Sequence, residues 1–425
     1  MRAAKRQILD LGARIAFVGL LATAIACNRI DYSPQDVRAS LPDGIVEPGL
    51  TERAEAGDTD AQHRLASIWL NAEGGMRNGA IAFEWFTRAA EAGHALSQSA
   101  LGRMLANGIG VAAPDYPASH RWLGLAIEQG DASAYFNLGK NYELGLGVEA
   151  DPAKAVELFR TAANAGLLNA EYSLGRAYET GAGVDVDITE AVAWYQAAAA
   201  QGFAIAQYTL GEMYRSGTKV PRNPAEAVTW YRLAAEQGYA PAEAQLGYVY
   251  AAGDGVPVRY EDAAKWSRAA AEQGDPDGCN NLAVLFLKGL GVGQDYDQAL
   301  SWYRKAANLG HAGAQNMLGS VYLTGQGAPQ DLAEAQRWWG VAAEQDYAPA
   351  QYNLGGMFSR KLSNTLGRDE ALDWLSRAAE QGHRSASKEL AELQSAIAIE
   401  EATAAEQAGD TDTETTPASA NSATL

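Results

Sequence analysis

The sequence predicts an all-α solenoid of about nine tandem repeats, each 36 residues long and folded as a helix-turn-helix pair. Three observations predict it. A glycine series, Gly102, Gly139, Gly175, Gly211, Gly247, Gly319 and Gly355, recurs at a spacing of 36, with Ala66 and Ala283 in the same phase and one extra residue in the loop 110–115. A second series keeps the same period: Trp85, Trp122, Trp194, Trp230, Trp266, Trp302, Trp338 and Trp374, with Leu158 taking one turn. The apolar 47% of the chain is dominated by Ala, and Gly (44) far outnumbers Pro (14), a composition suited to closely packed helices rather than sheets. At 425 residues the chain exceeds one ordinary core, but a stacked array has no single core to outgrow.

The first element is an address. Arg2, Lys5 and Arg6 precede an uncharged apolar run from Ile15 to Ala26, the pattern of a bacterial export signal. The run is shorter than the roughly 20 residues needed to span a bilayer. It closes on Ala24-Ile25-Ala26-Cys27, a small-x-small cleavage site that also resembles a bacterial lipobox, with Ala24 where Leu is usual. Cys27 is therefore the expected lipidation site, and Asn28 after it favours sorting to an outer membrane. The next segment holds Pro34, Pro42 and Pro48 without helical periodicity and reads as a tether.

The repeat itself is clearest from Ala134 to Gly166. Ala134, Leu138 and Tyr142 fall on one face of a first helix. Gly139 sits inside that helix, where it costs about 1 kcal/mol relative to Ala. A cost repeated in copy after copy implies a neighbouring helix too close for a side chain. Gly145 and Gly147 supply the positive φ of a helix stop and turn. Asp151 opens the second helix, with Asp115, Asp187, Asn223, Asp295 and Asp331 in phase as N-caps, and Pro152 and Pro224 at the following position. Ala155, Leu158 and Ala162 form its inward stripe. Neither helix can bury its apolar face alone, so copies must stack.

Residues 49–57 repeat the close of a second helix and form a half-repeat cap, and Ser385–Ala398 reads as a final covering helix. Two turns are irregular: Lys219 replaces the second Gly of copy five, and Ser359-Arg360-Lys361-Leu362 replaces the Gly-x-Gly of copy nine. Beyond Ile399 the chain is acidic and Ser/Thr/Ala-rich, the composition of a disordered tail. The expected organisation is an export signal (1–26), a lipidated cysteine and flexible tether (27–48), the capped solenoid (49–398) and the acidic tail (399–425).

Taken in order, Ala-x-x-x-Leu-Gly-x-x-Tyr, Gly-x-Gly-Val, Asp-x-x-x-Ala, Trp-Tyr/Phe and Ala-Ala-x-x-Gly resemble the Sel-1-like repeat family, relatives of the tetratricopeptide repeats. The resemblance covers about 57–386. It implies a right-handed α/α superhelix, an adaptor or scaffold role and no catalytic residue. Some exported members of the family are linked to β-lactam hydrolysis, but those resemble one another in carrying paired cysteines in each repeat, which this chain lacks.

The remaining chemistry is sparse. Cys27 and Cys279 cannot form a disulfide framework, and Cys279 falls on a helix as a small apolar residue. The histidines, His63, His94, His120, His311 and His383, show no metal-ligand spacing, so neither metal nor cofactor is expected. Gly289-Leu290-Gly291-Val292-Gly293 is an inter-helix turn rather than a phosphate loop, because no strand precedes it. The tryptophan series lies on the phase that faces neighbouring helices, which reads as core. A formal charge of −19 disfavours nucleic acid and anionic lipid as partners.

What is left is variable surface. The position after Leu-Gly reads Arg103, Lys140, Arg176, Glu212, Tyr248, Val284, Ser320 and Gly356, basic early and neutral late. A second row, Asn137, Ser173, Thr209, Gln245, Asn281 and Asn353, offers amides and hydroxyls to the backbone of an extended peptide. From these, Arg103, Asn137, Lys140, Arg176, Glu212, Tyr248, Asn281 and Asn353 are the candidate partner-binding residues. The function expected is a non-catalytic scaffold of the bacterial cell envelope, facing the periplasm on a lipid anchor and binding other envelope proteins. The alternatives are a periplasmic regulator of a membrane sensor and a β-lactam hydrolase.

Overall fold

The computed structural model describes residues 47–72, 78–362 and 365–411. The export signal, Cys27 and nearly all of the tether lie outside the described residues. All secondary structure among the described residues is helical, and the chain divides into two compact units at Asp151/Pro152.

The first unit holds α1 (Leu50–Glu55), α2 (Thr59–Asn71), α3 (Gly79–Glu91), α4 (Ala95–Asn107), α5 (Tyr116–Glu128) and α6 (Ala132–Leu144). The second holds α7 (Pro152–Asn164), α8 (Leu168–Thr180), α9 (Ile188–Ala200), α10 (Ala204–Ser216), α11 (Pro224–Ala235), α12 (Ala240–Ala252) and α13 (Tyr260–Glu272). It continues through α14 (Pro276–Lys288), α15 (Tyr296–Asn308), α16 (Ala312–Thr324), α17 (Leu332–Glu344), α18 (Ala348–Ser359), α19 (Arg368–Glu380) and α20 (Arg384–Thr411). Within each unit every helix packs on the next, so the elements form the expected solenoid of stacked pairs. In the first unit α1 lies on α2, and in the second α20 lies on α19.

Sequence dictates this packing at a few repeated points. Gly211 lies against the ring of Tyr231, where a Cβ would fall 2.5 Å from Cε1, and Gly319 lies equally close to the indole of Trp339. The mid-helix glycines are thus seats for a side chain from the second helix of the same repeat, a large one except at Gly247, which meets Ser267. That side chain is the residue after the tryptophan: Tyr195, Tyr231 and Trp339, and Tyr303 in the copy that has Ala283, are all at most 1% exposed. The tryptophans themselves are shallower than the sequence suggests. Trp85 and Trp374 are buried, but Trp122, Trp194, Trp230, Trp266, Trp302 and Trp338 are only half-buried. The seat over glycine, one residue on, takes the deepest place.

Caps close the helices as expected. Asp115, Asp187, Asn223, Asp295 and Asp331 each accept a backbone N–H from the first turn of the second helix. At the other end of the repeat Asp346 takes a left-handed φ of 59° where Gly274, Gly310 and Gly382 stand in other copies. In copy nine Lys361 does the same, with φ 55°, in place of the missing glycine turn.

One expectation changes. The final helix does not stop at Ala398 but runs to Thr411, so the first part of the acidic tail is helical rather than disordered. The reason is local: the segment 398–408 consists mainly of Ala, Glu, Gln and Ile, without Gly or Pro. Arg368 also holds the helix by an ion pair with Glu400 at 2.8 Å.

Candidate partner-binding surface

A buried polar ladder fixes the face that the first helices present. Gln62, Gln98, Gln207, Gln315 and Gln351 occupy one phase, and each donates from Nε2 to the carbonyl eight residues earlier, at the end of the preceding helix. A second glutamine thirty residues on donates to the first, as Gln237 does to Gln207 at 2.7 Å and Gln345 to Gln315 at 2.6 Å. Glu171 and Glu243 stand in the ladder instead of glutamine; burial pushes both carboxyls up, against the hydrogen bonds from Gln201 and Gln273 that favour the anions. In copy seven the phase holds Cys279, whose thiol burial pushes up. There Lys305 Nζ donates to the Ala271 carbonyl at 2.7 Å, the bond a glutamine would otherwise make. The sequence reading missed this ladder, although its signal, paired amides thirty residues apart, is legible.

The histidines after the repeat-ending glycine have a similar logic. His94, His311 and His383 accept a backbone N–H at Nδ1, from Ser97, Ala314 and Ala386 respectively, and so cap the next helix as Asp58, Asp131 and Asp275 do in the same phase. His94 Nε2 lies 3.1 Å from Asp60 and its Nδ1 2.8 Å from the Ser97 hydroxyl, a Ser-His-Asp line. Ser97 is 0% exposed, so its hydroxyl cannot meet a substrate, and the line is a helix cap. His63, 3.0 Å from the same hydroxyl, is held below the ordinary imidazole range by burial and by His94.

The candidate residues lie on the accessible side of the first helices. Arg103 is exposed on α4. Lys140 on α6 pairs with Glu143, and Asn137 donates to the Ser99 hydroxyl at 3.4 Å. In the second unit Arg176 and Tyr248 are exposed, while Glu212 is half-buried and paired with Arg215 at 2.8 Å. Asn281 donates to the Ala244 carbonyl at 3.1 Å and Asn353 to Asn316 Oδ1 at 2.9 Å. Asn137, Asn281 and Asn353 thus have a structural duty, tying α6, α14 and α18 to the first helix before each, and the Oδ1 acceptors of Asn281 and Asn353 take no part in it.

Two networks charge this face early in the second unit. The Tyr195 hydroxyl donates to Glu179 at 2.6 Å, and Lys219 donates to the other Glu179 oxygen at 2.6 Å. Burial alone would raise the Glu179 pKa, but those two donors hold it below the ordinary carboxylate range. The Tyr231 hydroxyl donates to Glu212, itself held by Arg215. Lys219, which stands in the phase of the turn glycines Gly183 and Gly255, completes the first network. An open cleft of about 560 Å³ lies between α18 and α20, lined by Tyr352, Arg360, Ser385, Glu389 and Leu393 among others.

Nine consecutive matches to the Sel1 repeat cover residues 59–94, 95–131, 132–167, 168–203, 204–239, 240–275, 276–311, 312–347 and 348–383. The chain belongs to the Sel1 repeat family. Its fold is similar to the crystal structure of a protective antigen of uropathogenic Escherichia coli that displays the SLR fold, with 34% identity and a TM-score of 0.64 over 80% of this chain and 73% of that one. It is also similar to a Sel1 repeat protein of Oxalobacter formigenes, with 31% identity and a TM-score of 0.57 over 77% of this chain and 93% of that one. A search of curated proteins gives no match. Sel1 repeat proteins generally mediate protein–protein interactions and are typically non-catalytic scaffolds, and protein binding is accordingly the class of function assigned to this chain.

Proposed function

We propose that the chain is an exported scaffold of the bacterial cell envelope, held on a membrane by a lipid on Cys27 and gathering other envelope proteins on the accessible face of its first helices. The observation that supports the scaffold reading is that face: the repeats spend their small-residue seats, caps and polar ladder on stacking, and carry a row of unlike residues, Arg176, Glu212, Tyr248, Val284 and Ser320 in the second unit, outside those stacking contacts. The basic head, apolar run and Cys27 of the first residues support export and anchoring. The Escherichia coli neighbour is a protective antigen of the same repeat type.

Of photo-crosslinkers placed at Arg176, Tyr248 and Asn281 in the native host, at least one should capture an envelope protein, and crosslinkers on the opposite side of the second helices should not. Equal capture from both sides, or none from the first helices, would defeat the scaffold reading. The anchor is tested separately: the mature N-terminus should be an acylated Cys27 by mass spectrometry, and an unmodified terminus retires it.

A further inference from the structure

From α12 to α18 the accessible positions of the first helices carry no formal charge, except Asp277, which is engaged by His311, and Lys288 at the end of α14. The surface is made instead of amides such as Gln245 and Asn281 and of apolar side chains, with Tyr248 48% exposed and Val284, Leu287 and Met317 half-buried. In a chain with a formal charge of −19 such a stretch is unusual, and it contrasts with the carboxylate–cation networks of α8 and α10.

The protein gives up hydrogen bonds to keep this stretch neutral. Tyr303 occupies the register of Tyr195 and Tyr231, whose hydroxyls find Glu179 and Glu212 sixteen and nineteen residues earlier. At those two distances from Tyr303 stand Leu287 and Val284, and its hydroxyl is buried without a partner, with its pKa pushed up to about 12 by that burial. In the preceding repeat Ser267 is 0% exposed and its hydroxyl is likewise unpartnered. Two adjacent repeats thus carry an orphaned buried hydroxyl where the two repeats before them carry a satisfied one, and buried groups of this kind are destabilising. The residues that would satisfy Tyr303 are charged ones, on the face a partner would touch.

We infer that the binding site is the neutral stretch of α12 to α18, not the basic row of α4 to α8, and that it takes an uncharged, extended segment of a partner protein. This rests on the reading of the first-helix face as the partner surface. Amides along the stretch pair with backbone groups of the segment, while Tyr248, Val284 and Met317 receive its aliphatic side chains. A charged side chain would be stripped of water there without a counter-ion, so the stretch selects against charge. Aliphatic side chains outnumber the single well-exposed ring, which favours a peptide over a sugar.

The test uses the mature protein and synthetic pools of short peptides: uncharged and aliphatic-rich, acidic, or basic, with a chitin oligosaccharide as a fourth probe. V284E/L287R rebuilds beside Tyr303 the network that serves Tyr231. It is expected to keep or raise the melting temperature while weakening the uncharged pool about tenfold. Y248A should weaken that pool about fivefold without changing stability, and R103E/R176E should leave it unchanged. If V284E/L287R loses stability, Y248A decides alone. Preference for the acidic pool with loss in R103E/R176E, binding of the oligosaccharide but no peptide, or no binding to any probe overturns the inference. Capture of an envelope protein through Arg176 but not through Tyr248 or Asn281 would leave the scaffold standing and remove only this assignment.

Discussion

Replacing Glu171 and Glu243 by glutamine is expected to stabilise the protein at neutral pH. In five other repeats the same position donates a hydrogen bond to the carbonyl eight residues earlier, at 3.0 to 3.1 Å. An ionised glutamate cannot donate, and at 4% and 5% exposure these two carboxylates are buried charges in place of satisfied amides. Glutamine restores a bond worth about 1 kcal/mol net and removes the charge, for a gain of about 1–2 kcal/mol per site. That corresponds to several degrees of melting temperature, at about 2–4 °C per kcal/mol for a unit approaching this size. Burial raises both carboxyls above their ordinary pKa of about 4.3, so the penalty is present above the raised native value. As pH falls through that value the native state takes up its proton first, the penalty disappears, and the carboxyl hydroxyl can donate as the amide does. The double variant E171Q/E243Q should therefore lead the wild type in urea melts at pH 7, with the gap closing as pH approaches about 4. A variant less stable at pH 7, or a gap that does not narrow on acidification, refutes the reasoning.

Three further outcomes follow from the stacking. Gly319→Ala should cost about 1–3 kcal/mol through overpacking against Trp339, read from urea midpoints, whereas Gly340→Ala, which meets open space in α17, should gain up to about 1 kcal/mol of helix propensity. His311→Ala should cost about 1 kcal/mol by removing the N-cap of α16, and His311→Asn should restore most of it. Lys305→Met should cost no more than about 1 kcal/mol, because the Ala271 carbonyl keeps the Gly274 N–H at 3.1 Å and the weak Cys279 thiol donor at 3.7 Å, and adding Cys279→Gln should recover the loss in a double-mutant cycle.

The fold was legible because the repeat writes its packing into residue type. A glycine inside a helix, against its own propensity, reports a close neighbour, and the structure places Tyr231 or Trp339 there. Asp and Asn before the second helices report caps in the same way. Less legible was which aromatic fills the seat: Trp230 and Tyr231 are adjacent, both suit a core, and only the helix crossing decides that the tyrosine goes in. The spacing of His94 points to no metal site, but Asp131 and Asp275 in its phase signal a cap, with Nδ1 replacing a carboxylate oxygen. The end of α20 lies beyond the expected Ala398 because the helix propensity of individual Ala and Glu residues outweighs the net acidity of the segment. Of the candidate residues Arg103, Arg176 and Tyr248 are exposed and the rest half-buried, and sequence alone does not show that Asn281 and Asn353 already spend an N–H on the preceding first helix.

That double duty bears on how such a surface can evolve a partner. The amides of Asn281 and Asn353 are oriented by the stack before any ligand arrives, so their free acceptors carry little of the ordering cost that weakens binding by flexible side chains. The charged rows of α8 and α10 are held as firmly, but their carboxylates and cations already satisfy one another and the tyrosine hydroxyls, and a partner must break those bonds to use them. Between α12 and α18 the Oδ1 acceptors of Asn281 and Asn353 stand outside the bonds that orient those amides. A solenoid whose repeats all stack by the same rules thus differs along its length mainly in which groups are left over, and the orphaned Tyr303 hydroxyl marks one register where a neutral surface leaves without a partner the group that a charged one satisfies at Tyr195 and Tyr231.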